Sequence, residues 1–97
     1  MKDYETNKSK LDKNCKRIVS NEAASEYLRS LIHKCEQTRN QLSFTLHNLS
    51  ESRGEITSYK VSISLTKSMN PSIKVNGNAC SRANLMAVLI GGWIEDK

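Results

Sequence analysis

Between residues 22 and 50, apolar or near-apolar side chains return at spacings of four and three. Leu28, Ile32, Cys35, Leu42, Leu46 and Leu49 fall on one seam, with Arg39 as its single charged intruder. A helix that keeps this register carries a narrow apolar stripe, which must be covered by another helix or by a second copy of itself. These six residues are therefore the expected oligomer interface. Ser20 or Asn21 can cap the helix, and Glu22 and Glu26 place negative charge where the helix dipole favours it. Ala24, Tyr27, Leu28, Leu31, Ile32 and Cys35 then follow the helical period. From Gln41 the pattern divides. Leu42, Phe44 and Leu46 alternate with Ser43, Thr45 and His47 as a strand would, while Leu42, Leu46 and Leu49 also continue the heptad. Arg53-Gly54 would give the helix a basic last turn and the glycine common just past a C-terminus, so one long helix is expected.

The remaining stretches read more simply. Residues 1–20 are rich in Lys, Asn and Asp with scattered apolar side chains, the composition of a flexible basic tail. Tyr59, Val61, Ile63 and Leu65 alternate with Lys60, Ser62, Ser64 and Thr66, the clearest strand pattern in the chain. Lys67 to Pro71 is turn-like, and Ile73 and Val75 alternate with Lys74 and Asn76, which completes an antiparallel hairpin. Gly77 ends that strand. Ser81 can cap a final helix from Arg82 to about Ile94, whose apolar residues cover nearly its whole circumference and mark it as buried. The pair Gly91-Gly92 implies that this helix frays there or that another backbone packs close. The expectation is an α+β fold: a basic tail over 1–20 and one small domain over 21–97.

Size and charge limit what such a chain does. With 97 residues it forms one domain at most and buries a smaller share of its surface than a larger chain, so a partner or self-association is expected. Three widely spaced cysteines give no disulfide framework, and a reducing compartment, the cytoplasm by default, follows. The longest strongly apolar run, 85–94, holds ten residues with two glycines, where a spanning helix needs about twenty. No membrane is expected. The net charge is +5. Residues 1–17 carry six basic against three acidic side chains and residues 18–97 nine against seven, so no stripe for tracking phosphates is evident outside the tail.

Catalytic patterns are missing. His33 and Cys35 diverge on one helix, no Cys-x-x-Cys or His/Cys cluster supplies a zinc set, and no cofactor motif is present. Cys35 reads as a small core residue. Cys80, near a helix N-terminus, would be a nucleophile only with a placed base, and His47 would serve only if the fold brings it there. The segment Asn76-Gly77-Asn78-Ala79-Cys80-Ser81-Arg82 is a turn feeding a helix N-terminus. Asn76, Gly77, Asn78, Ser81 and Arg82 are the anion-binding candidates.

If residues 41–49 were a strand, the order helix, three strands, helix would resemble the double-stranded RNA-binding domain. Ser81-Arg82 would then fall where that family begins its basic final helix. Here the helix continues Ala83-Asn84-Leu85-Met86, without the lysine cluster that grips phosphates in that family, and the resemblance is not adopted. The leading expectation is a non-enzymatic binding protein, a regulator or inhibitor that occupies a protein partner or a phosphate-bearing ligand. The alternative is nucleic-acid binding through the tail with Lys60, Lys67, Lys74 and Arg82, and a thiol enzyme centred on Cys80 comes third.

Overall fold

The protein, described as a computed structural model over residues 2–95, places three helices on the two faces of one antiparallel sheet. In chain order the elements are α1 (Lys2–Asn14), β1 (Lys16–Arg17), α2 (Asn21–Thr38), β2 (Leu42–Leu49), β3 (Ile56–Leu65), β4 (Pro71–Val75), β5 (Asn78–Ala79), α3 (Arg82–Leu89) and β6 (Trp93–Glu95). The spatial order is β1-β6-β2-β3-β4-β5. The last strand therefore inserts between the first and the second.

Helix α2 starts where the sequence says. Ser20 is its N-cap, its Oγ accepting from the Ala23 N–H at 3.1 Å. The helix ends earlier than expected, at Thr38, because Arg39 turns left-handed (φ 61°) and its N–H closes onto the Cys35 carbonyl. The long-helix expectation is thereby overturned. Residues 42–49 are a strand, and the alternation of Leu42, Phe44 and Leu46 outweighs the heptad. Only the strand puts Phe44 and Leu46 together on a buried face, where Phe44 meets Tyr27 edge-on at 5.2 Å. Gly54 belongs instead to the β2–β3 turn, with φ 71°.

The β3–β4 hairpin is as read, with Val61 opposite Val75 and Ile63 opposite Ile73. The inward residues of β2, β3, β4 and β6 join Leu28, Leu31 and Cys35 of α2 and Leu85 and Leu89 of α3 in one core. Both later helices thus lie on the same sheet face. The Cys35 thiol sits in this core and donates to the Ile63 carbonyl at 3.4 Å, in keeping with a small core residue.

Two further expectations change at the ends. Ser81 caps α3 as read, but α3 stops at Leu89 and residues 93–95 form β6. The glycine pair explains the switch. Gly91 takes φ 84°, and a Cβ on Gly92 would stand 3.2 Å from the His47 carbonyl and 2.8 Å from Leu46 Cδ1. Absence of a side chain lets the chain turn and β6 approach β2 closely. The N-terminal segment, expected to be a flexible tail, is helix α1 and strand β1 over its described residues, and Met1 lies outside them. Helix α1 covers the opposite sheet face through Leu11, which is buried, while Asp12 accepts from the Trp93 indole at 2.8 Å. Arg17 lies over the Trp93 ring, 4.5 Å from its centroid. This second, smaller core escapes a sequence reading because Leu11 is one apolar residue among charges.

Candidate functional site

The six seam residues do not form a free stripe. Leu28, Cys35 and Leu46 are fully buried in the chain's own core, and Ile32 and Leu42 pack half-buried against it. Leu49 is half-buried but points to the other sheet face, since strand residues alternate and Leu46 points inward. The cover that the seam requires comes from the sheet of the same molecule. Within one chain, therefore, most of the seam is already occupied.

The anion candidates separate into two groups. Asn76 and Gly77, both at positive φ, form the two-residue turn joining Val75 to Asn78, the conformation for which Asn-Gly is favoured. The Asn76 Oδ1 accepts from the Lys60 N–H at 2.9 Å and its own N–H donates to the Lys60 carbonyl. These groups close a sheet edge. Ser81 and Arg82, by contrast, open onto a depression beside α2.

That depression has two adjoining parts. One, of about 490 Å³, is lined by Glu26, Arg29, Ile32, His33, Glu36 and Arg82 among others. The other, of about 310 Å³, is lined by Ile32, Pro71, Ile73, Cys80, Ser81 and Arg82. Ile32 and Arg82 belong to both, so the two form a single groove with an apolar floor of Ile32, Ile73 and Pro71. Its rim carries both signs of charge. Within the rim His33 lies 3.8 Å from Glu36.

The basic residues of the alternative reading do not converge on this groove. Lys60 and Lys74 alternate with inward Val61, Ile73 and Val75 and so face outward on the sheet, Lys67 lies in the β3–β4 turn, and Arg82 begins α3 on the opposite face. Nor does His47 reach Cys80. His47 faces outward beside Ser58 and Trp93, its strand partners, whereas Cys80 packs against the helix-side core. The sheet separates them.

What His47 does meet is unexpected. Its Nδ1 lies 2.7 Å from Ser58 Oγ and its Nε2 2.9 Å from Glu95 Oε1. Cys15, just past α1, completes a cluster in which one ligand-type atom from each of Cys15, His47 and Glu95 lies within 4.8 Å of the others. Burial and the Glu95 charge push the Cys15 thiol up from its ordinary value. Spacing rules miss this set because its members stand 32 and 48 residues apart. Only the insertion of β6 beside β2, with α1 laid across both, gathers them.

Ser58, His47 and Glu95 also have the connectivity of a nucleophile, a base and an orienting carboxylate. The adjoining concavity, lined by Ser43, Phe44, Thr45, Lys60 and Glu95, holds about 110 Å³, well under the roughly 300 Å³ at which small-molecule sites begin. A hydrolase reading gains no substrate site from it.

No helix of the described residues is long and apolar enough to cross a membrane. Comparison of the chain with protein-family models, with curated proteins and with solved structures finds no significant match.

Proposed function

We propose that this is a small non-enzymatic binding protein, a regulator or inhibitor that takes a segment of a protein partner into the groove between α2 and the β4–α3 region. One observation carries the reading: the groove combines an apolar floor at Ile32, Ile73 and Pro71 with a rim of Glu26, Arg29, Glu36 and Arg82. An apolar floor supplies the attraction and a charged rim the orientation, the division found in protein interfaces. The chemistry fits a short peptide with one aliphatic or aromatic anchor flanked by charges. A phosphate-bearing ligand in this groove would draw on the guanidinium groups of Arg29 and Arg82, the cations of its rim.

Peptides selected from a random library against the intact chain test this. Those that bind should lose about tenfold or more, on the order of 1.4 kcal/mol, in Ile32→Glu and in the exposed rim variant Arg82→Glu. Binders indifferent to both substitutions would place recognition elsewhere and sink the groove.

Nucleic-acid binding remains the second reading, favoured by one feature. From α2 to α3 the order is helix, three longer strands, the two-residue strand β5 and helix, which approaches the helix, three strands, helix arrangement of the double-stranded RNA-binding domains. Its phosphate contacts would fall to Arg82 and neighbouring side chains, since Ala83, Asn84, Leu85 and Met86 carry no charge. Affinity for duplex RNA that falls steeply with salt and depends on Arg82 would favour it over the peptide groove.

A further inference from the structure

We infer that Cys15, His47 and Glu95 form a binding site for a zinc-class divalent cation that ties helix α1 to the sheet. The donor set is a thiolate, an imidazole and a carboxylate, the ligands zinc takes in tetrahedral sites, whereas magnesium and calcium favour oxygen alone. Three protein ligands leave one position for water or for a group from another molecule.

Distances fit the assignment with small adjustments. Around a tetrahedral ion with ordinary zinc bond lengths, ligand atoms stand about 3.3 to 3.6 Å apart. Here all three lie within 4.8 Å of one another, and His47 Nε2 and Glu95 Oε1 are 2.9 Å apart. A cation between that pair would widen it slightly and draw in the Cys15 sulfur, which already lies within 4.8 Å. Two of the three ligands need no backbone adjustment, because the ladder fixes them. Thr45 stands opposite Glu95 and His47 opposite Trp93, so the His47 and Glu95 side chains are diagonal neighbours on one face.

A fourth residue orients the imidazole. Ser58 is the direct cross-strand partner of His47, and its Oγ lies 2.7 Å from Nδ1. With the Nδ1 proton donated to Ser58, Nε2 presents its lone pair towards Glu95 and Cys15, the arrangement that metal-binding histidines commonly use. The cation then stands between Nε2 and Glu95 Oε1, which are now in direct contact. Positive charge also satisfies a site that brings a carboxylate and a thiol together.

The three ligands come from three places in the chain: the link between α1 and β1, strand β2 and strand β6. Apart from this cluster, α1 is held by Leu11, by Asp12 on Trp93 and by the Asn7 amide, which donates to the Gly54 carbonyl. A bound ion adds a link at the C-terminal end of α1 and fixes the turn into β1. The proposal does not depend on the peptide groove, which lies on the other face.

Co²⁺ titration of the reduced, full-length chain provides the test, because thiolate coordination gives a near-ultraviolet charge-transfer band and tetrahedral geometry gives visible bands. One equivalent should bind, with both features, and Zn²⁺ should displace it. The charge-transfer band should vanish in Cys15→Ala and persist in Cys80→Ala. Ser58→Ala, which keeps every ligand, should weaken Co²⁺ binding by roughly tenfold to a hundredfold. Trp93 emission in the metal-free state reports whether each variant retains its fold. Absence of a thiolate band in the wild-type chain, its survival in Cys15→Ala, or its loss in Cys80→Ala while Trp93 stays buried would overturn the assignment.

Discussion

Asp12 is one of the side chains that dock α1 on the sheet. Its hydrogen bond from the Trp93 indole, aided by Lys8 at 3.5 Å, holds its carboxyl below the ordinary aspartate value. An unfolded aspartate titrates near about 3.9, so the favourable contact is fully present above that pH and is lost as pH falls through the lower folded value. Acid titration should therefore give a change in Trp93 emission below about pH 4. Asp12→Asn keeps an acceptor for the indole but has no proton to gain, and the acid step should disappear. A step of unchanged size and midpoint in that variant would assign it to another carboxylate. None of this was legible in the sequence, where Asp12 and Trp93 are 81 positions apart. Ser20 and Ser81, by contrast, were readable as caps, since a cap acts within three residues of its own position.

At the level of elements, local chemistry identified α2 and the β3–β4 hairpin, and a local tie hid β2. Residues 42–49 satisfy a strand and a heptad at once, and what decides between them is non-local. Leu42 pairs with Ile63, Phe44 with Val61 and Leu46 with Tyr59, partners that appear only when β3 lies alongside. Arg39 in a left-handed conformation is the break that no propensity rule flags, because it is neither Gly nor Asn. Phe44 tests the strand. Only 4 % exposed and set against Tyr27, it should cost about 3 to 5 kcal/mol when replaced by alanine. Urea unfolding would show this as a large drop in midpoint. The midpoint should also be independent of protein concentration if the seam is covered within one chain, whereas a concentration-dependent midpoint would return Leu28, Cys35 and Leu46 to an interface between copies.

The whole molecule has one large core between the sheet and α2 and α3, and a small one beneath α1. Composition placed the six basic residues of positions 1–17 in a solvated arm, whereas Lys16 and Arg17 form β1 and the other four lie in α1, which is only weakly amphipathic. What anchors it is the other end of the chain: Trp93 and Glu95 arrive beside β2 because Gly91 and Gly92 end α3 and admit β6. Composition cannot report an encounter between the two chain ends. Leu11 and Trp93 are both buried yet stand apart from the main cluster that includes Leu28, Leu46, Ile63 and Leu85, so the small core is expected to open without dissolving the large one. Leu11→Asp places a charge under α1, where desolvation opposes it. Trp93 emission should shift to the red and the α1 amides should exchange faster, while the amides of β2 and β3 stay protected. If β2 and β3 lose protection together with α1, the two cores fold as one unit, and α1 is part of the domain's stability rather than a cover laid on its outer face.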